Sequence, residues 1–194
     1  LGRENKLNKS NKGKCSASAT RFTRNKLELA YSAHIFDVYK DYLTTPEGKQ
    51  VVYDYIDHVP GAGILPIDKD GNIILVSQYR NSIDDITYEV PAGCMDAEES
   101  PECCAIRELE EETGYIANEV IYLTKTVLAI GTSNEQTYIY MGKNLTKGTT
   151  QMEDEEFINV HVLTPEEVMS MIKAGKIVDS KTLIAIYAYM YQYA

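Results

Sequence analysis

The chain has 194 residues, enough to bury a full core. Its 29 Asp and Glu against 19 Lys and Arg leave a formal charge of -10, which argues against nucleic acid as a partner because backbone binding needs a basic surface. No apolar run reaches membrane-spanning length, so no membrane role is expected, and Cys15, Cys94, Cys103 and Cys104 have neither zinc-ligand nor disulfide-framework spacing.

Residues 1–25 are rich in Lys, Arg, Asn and Ser and read as a flexible basic tail without assigned function. Order is expected from Lys26. Residues 27–38 and 51–57 read as strands separated by a turn at Pro46-Glu47-Gly48. This N-terminal unit, residues 26–57, is too small and too poor in apolar residues to stand alone, so it must dock on something. Residues 61–66 and 72–79 predict a hairpin across Lys69-Asp70-Gly71. A short strand at Tyr88-Glu89-Val90 leads through Pro91-Ala92 into a glycine loop at Gly93.

A helix follows. Ser100 suits its N-cap, Pro101 its first position and Gly114 a left-handed stop, while Ala105, Ile106 and Leu109 supply an apolar face. Cys103 and Cys104 are adjacent on this helix, so their side chains diverge, and they read as reduced thiols of a cytoplasmic protein. Residues 120–129, 136–142 and 159–163 predict further strands. Thr164-Pro165-Glu166-Glu167 forms a capping box for a helix ending near Gly175, and a last helix runs from Ser180 through Tyr189. The expected architecture is α/β, a mixed sheet held between helices and preceded by a small antiparallel unit. The last helix carries Tyr187, Tyr189, Tyr191 and Tyr193, residues that suit an interface as well as ordinary packing.

The helix after Gly93 carries the chemistry. Glu108, Glu111 and Glu112 are three and four residues apart and share one face, where like charges repel. They fall in the C-terminal half, where the helix dipole also disfavours them. Either the face is simply solvated, or a cation offsets the cost, and a hard divalent metal is the natural choice. Arg107 suits a bidentate pair that orients a neighbouring carboxylate. Glu99, just before the helix, suits a structural role in holding the loop. Arg80, at the end of an apolar strand, suits an anion contact or a surface position, and Phe36 or Tyr39 on the first strands could stack a flat ring. With histidines at 34, 58 and 161 alone, a histidine metal site has little support.

The spacing Gly93, Glu99, Arg107-Glu108-Leu109, Glu111-Glu112, Gly114-Tyr115 resembles the signature of the Nudix hydrolases, which split diphosphates linked to another moiety. Tyr115 departs from it, standing where the family has an aliphatic residue. Outside the signature, Val76-Ser77-Gln78-Tyr79-Arg80, the 88–93 lead-in, Gly131-Thr132-Ser133-Asn134-Glu135 and Val160-His161-Val162 are similar to the ADP-ribose pyrophosphatase branch.

That resemblance implies an α/β/α sandwich over residues 58–194, a homodimer with exchanged N-terminal strands, and hydrolysis of ADP-ribose to AMP and ribose 5-phosphate with Mg2+ or Mn2+. It also implies that Glu108, Glu111, Glu112 and the carbonyl of Ala92 bind metal, and that Glu135 lies near the terminal ribose or the metal. A glutamate of the run Glu153-Asp154-Glu155-Glu156 would activate water, Glu156 first by its spacing to Val160 and Glu153 second. Two other readings stay open: a pyrophosphatase for GDP-mannose or UDP-glucose, and a nucleotide-binding or regulatory module without turnover.

Overall fold

The structure is a computed structural model that describes residues 20–150 and 157–193. Its N-terminal sheet is antiparallel, in the order β1 (Thr23–Ser32), β2 (Phe36–Thr44), β3 (Gln50–His58). The single strand expected over residues 27–38 is therefore two. The chain reverses between Ser32 and Phe36, where the Ala33 N–H donates to the Phe36 carbonyl at 2.9 Å. No glycine or proline marks this reversal. It is held instead by the Ser32 hydroxyl on Asp37 at 2.6 Å and by pairs across the strands. Arg24 grips Asp41 with two bonds of 3.0 and 2.8 Å, and Lys40 meets Asp54 at 2.8 Å. The expected turn at residues 46–48 is present, with Gly48 at φ +83°.

Every residue of β1 is exposed, and Leu27, Leu29 and Tyr31 on β1 join Val52 and Tyr53 on β3 as large apolar groups facing solvent. The far end of β3 is tied to the rest of the molecule. Ile56 bridges to Ser133, the His58 N–H donates to Asn134 Oδ1 at 2.8 Å, and the Asn134 amide donates to Asp57 at 2.6 Å.

The remaining elements are β4 (Gly61–Pro66), β5 (Ile73–Arg80), β6 (Asp85–Glu89), β7 (Ala92–Cys94), α1 (Pro101–Thr113), β8 (Tyr115–Val127), β9 (Gln136–Lys147), β10 (Asn159–Leu163), α2 (Pro165–Lys173) and α3 (Ser180–Tyr193). They build a mixed sheet β7-β4-β9-β8, with β4 and β9 parallel, and an antiparallel sheet β10-β5-β6. The hairpin expected from residues 61–66 and 72–79 forms at its turn. Asp68 accepts the N–H groups of Asp70 and Asn72 at 2.9 and 2.8 Å, and Ile67 bridges Ile73. Beyond the turn β4 and β5 part into different sheets. β4 is already flanked by β7 and β9, and β5 by β6 and β10, so neither has a free edge for the other.

Strand alternation sorts side chains between two layers of helix. Ala62 and Ile64 of β4 and Tyr140 of β9 pack with Cys104, Ala105 and Leu109 of α1. Their neighbours Leu65, Ile139 and Met141 face the other way, onto Val168 of α2 and Ala185 and Ile186 of α3. The result is an α/β/α sandwich, as expected.

Local signals place the helix ends. The Ser100 side chain accepts from the Cys103 N–H at 3.2 Å, and Gly114 closes α1 at φ +68° with its N–H on the Glu110 carbonyl. Thr164 and Glu167 complete the capping box of α2. β8 starts at Tyr115 rather than 120, β9 continues to Lys147, and α3 extends to Tyr193. Cys103 is exposed and Cys104 buried, so the two thiols do diverge. Among the described residues no helix is long and apolar enough to cross a membrane.

Candidate active site

β7 and α1 approach so closely that only hydrogen fits between them at one point: a Cβ on Gly93 would fall inside the Glu108 carboxylate. Gly93 is thus required by space, not by its dihedral angles. Opposite this contact, Arg107 joins loop and helix. Its Nε and Nη2 donate to the two Glu99 oxygens at 3.0 and 2.9 Å, and Nη2 also reaches the Cys94 carbonyl at 3.1 Å. The remaining nitrogen, Nη1, donates to Glu108 at 2.8 Å and to Glu111 at 2.9 Å.

The hydrogen bond to Glu99 raises the Arg107 pKa further, against the cost of burial and with help from the Glu108 charge, while Arg107 holds Glu99 below the usual carboxylate range. Glu99 also accepts the Asp96 N–H at 3.0 Å. It therefore ties Asp96 of the loop to Arg107 of the helix. Cys104 beneath this cluster has its thiol pushed up to about 12 by burial, with the Glu108 and Glu99 charges adding to the effect. It stays a neutral thiol at physiological pH.

Glu108 and Glu112 are buried, 9% and 5% exposed, and Glu111 is half-buried. All three line a cleft of about 600 Å³ together with Ala92, Gly93 and Arg80. A smaller hollow of about 310 Å³ continues from Ala92 and Gly93 to Glu135 and Lys181. Phe36 stacks on His58, ring centres 6.0 Å apart, in a hollow that shares His34 and Ile35 with the cleft. The structure thus gathers Arg80, Ala92, Gly93, Glu108, Glu111 and Glu112 in one cleft, places Glu135 beside it and sets Phe36 next door. Arg107 also lines this cleft, Glu99 lies behind it, and Gly114 serves as the helix stop.

Glu153 and Glu156 lie outside the described residues. The chain on either side of them is anchored. Gly148 and Thr149 donate to Gly114 and Glu110 at the end of α1, at 2.8 and 3.3 Å, and Asn159 pairs with Ser77 of β5.

The network behind Arg80, made of Glu89, Thr87, Lys181 and Asp179, escaped sequence reading. Arg80 spends its Nε and Nη2 protons on Glu89, both bonds 2.7 Å long. Glu89 is 2% exposed and also accepts from Lys181 and from the Thr87 hydroxyl. Lys181 in turn lies 3.2 Å from Asp179. Burial pushes the Glu89 carboxyl up, but Arg80, Lys181 and Thr87 outweigh it and hold the pKa at about 2. The one available signal was an acid between apolar neighbours in Tyr88-Glu89-Val90, since a buried carboxylate needs cations.

The donor set suits a hard cation. Among the described residues no His, Cys, Asp or Glu trio closes into a cage. The carboxylates form an open row instead, which fits an ion such as Mg2+ that keeps water and shares its shell with phosphate oxygens.

An α/β/α sandwich with a glycine strand set against an arginine-ordered acidic helix defines a class, and the comparison with known proteins names it. Residues 57–185 match the NUDIX domain, and the chain belongs to that family. Over 161 residues it is 29% identical to an ADP-ribose pyrophosphatase of Bacillus subtilis, covering 82% of this chain and 87% of that one. Over 163 residues it is 31% identical to a methanol dehydrogenase activator of Bacillus methanolicus, with coverage of 83% and 88%. A crystal structure of an ADP compounds hydrolase superposes with a TM-score of 0.82 over 91% of this chain and 96% of the other, at 21% identity, a likeness of fold.

Proposed function

We propose that this chain hydrolyses the diphosphate of ADP-ribose to AMP and ribose 5-phosphate in the presence of Mg2+ or Mn2+. The observation that carries the reading is the shared cleft: buried Glu108 and Glu112 line the same 600 Å³ space as the guanidinium of Arg80. Such a cleft offers hard oxygen donors on one side and an anion-binding fork on the other. The name of the Bacillus subtilis relative supports ADP-ribose as the substrate.

Glu108, Glu111, Glu112 and the Ala92 carbonyl would hold the ions. When bound, they would neutralise diphosphate oxygens and acidify a water. Arg107 keeps Glu108 and Glu111 in place by its paired bonds. Arg80 has five N–H groups, two of them on Glu89, and the rest suit a phosphate. Glu135 is assigned to the sugar end and the Phe36–His58 stack to the adenine. Glu156, with Glu153 second, takes the proton of the attacking water. The exposed apolar side chains of β1 and β3 support a homodimer joined through residues 26–57. The free cysteines at positions 94, 103 and 104 fit a cytoplasmic setting.

The test is product analysis with ADP-ribose, GDP-mannose and UDP-glucose in parallel, with Mg2+, for the native chain and Glu112→Gln. AMP and ribose 5-phosphate, lost in the variant, are expected. A different preferred sugar moves the assignment within the class. Metal-dependent turnover of none of them sinks the enzymatic reading and leaves a regulatory one, which the activator relative favours.

A further inference from the structure

The first turn of α3 reaches the cleft from the far side of the sequence. Thr182 Oγ1 accepts the Val90 N–H at 2.8 Å across a separation of 92 residues, and the same hydroxyl donates to Asp179 at 2.6 Å. Asp179 also accepts the Thr182 N–H at 2.9 Å. One residue earlier, Lys181 donates to Glu89. The helix start therefore grips the Glu89-Val90 step twice, once through the backbone and once through the side chain. Two residues later the chain enters Ala92-Gly93.

We propose that Lys181 is a positioning residue for diphosphate recognition: it fixes Glu89, and Glu89 fixes the guanidinium of Arg80 toward the cleft. The proposal rests on the reading of Arg80 as the diphosphate clamp.

Geometry distinguishes this from a simple buried ion pair. Glu89 takes Arg80 side-on, by Nε and Nη2, which sets the plane of the guanidinium and turns Nη1 away from the carboxylate. Arg80 lies in the walls of both hollows; Lys181 lines the smaller one, where its ammonium is occupied by Glu89 and Asp179. The charges of Arg80, Glu89, Lys181 and Asp179 cancel, so the group needs no further counterion. Removing Lys181 leaves Glu89 with one cation and an unbalanced Asp179 beside it. Glu89 is then drawn from its place, and the Arg80 fork turns with it. Lys181 acts on substrate through two intermediates and touches none of the reacting atoms.

Steady-state kinetics with ADP-ribose and Mg2+, and the Kd of Mg2+-ADP by titration calorimetry, test this in Lys181→Met, Lys181→Arg, Arg80→Ala and the Met/Ala double variant. ADP carries the diphosphate whatever the sugar, so its Kd serves even if ADP-ribose is not turned over. Loss of one charge-assisted bond predicts a rise of roughly tenfold in KM and in Kd for Lys181→Met, with kcat within about threefold. Lys181→Arg should restore most of the affinity. In the Arg80→Ala background the Met substitution should add less than about twofold, since residues acting through one another are not additive.

A full additive loss in the double variant, or unchanged KM and Kd in Lys181→Met, overturns the proposal while Arg80 stays the clamp. No effect of Arg80→Ala itself overturns the clamp and the proposal with it. Should the Met variant fail to fold, Lys181→Gln, which keeps a donor for Glu89 but no charge, is read by the same criteria.

Discussion

Arg107 and Glu99 meet as fork on fork, with bonds of 3.0 and 2.9 Å, and this one pair sets the position of two other carboxylates. With Nε and Nη2 committed to Glu99, Nη1 is left pointing between Glu108 and Glu111, which it bonds at 2.8 and 2.9 Å. Lysine carries the same charge but lacks a second planar edge. Arg107→Lys should therefore keep the fold yet lower kcat/KM by roughly 100-fold, as expected when several charge-assisted bonds to the carboxylate row are lost. Kinetics beside a thermal melt read the two effects apart. Near-native turnover would show that the row orders itself.

Gly93→Ala should separate activity from stability even more cleanly. The new Cβ would meet the end of the flexible Glu108 side chain, not backbone. The carboxylate swings aside, the strand pairing of Ala62 with Gly93 survives, and unfolding free energy drops by no more than about 1 kcal/mol. Turnover should fall at least about 100-fold. A large stability loss with proportionate activity would mean the strand had moved and not the carboxylate.

Acid should weaken the fold through Glu89. Its folded pKa, about 2, lies below its ordinary value of 4.5, so the ionised form is favoured by folding. The stabilisation, about 3 kcal/mol on that shift, is present in full above pH about 5 and fades as pH falls toward 2. Urea unfolding of the native chain and of Glu89→Gln between pH 7 and pH 3 reads this directly. The native curve should slope over that window and the variant's should flatten. Parallel curves would place the acid sensitivity elsewhere.

Chelation should abolish turnover, and Mg2+ or Mn2+ should restore it. Binding of Mn2+ followed by electron paramagnetic resonance should weaken about tenfold or more in Glu112→Gln, because a hard cation loses an anionic ligand. Unchanged Mn2+ affinity in that variant would remove Glu112 from the ligand set.

What could be read from the sequence was local. Ser100 and Gly114 bound α1 because caps depend on residues three or four apart, and the Glu108, Glu111, Glu112 face follows from helical spacing alone. The Thr164 capping box was legible for the same reason. Harder to see were features that depend on distant chain. The 27–38 stretch reads as one strand because Ser32 to Phe36 contains no glycine or proline; its reversal is fixed by pairs such as Arg24 with Asp41, 17 residues apart. The parting of β4 and β5 depends on which strands arrive later to flank them. Glu89 was read as lead-in to the glycine loop, since its partner Lys181 arrives 92 residues later. Glu135 is legible only through likeness to the family, whereas Arg80 stands out at the end of its apolar strand.

The tie between Asn134 and the end of β3 has a practical consequence for anyone dividing this chain. A cut between residues 57 and 58 looks like a clean border, yet Asp57 and His58 are the two residues that Asn134 holds, one with each end of its amide. Deleting the outer sheet would untether the loop whose next residue, Glu135, borders the hollow beside the acidic row. The appendage and the pocket share a seam, and a chain cut there would carry a frayed edge into the hollow that Glu135 lines.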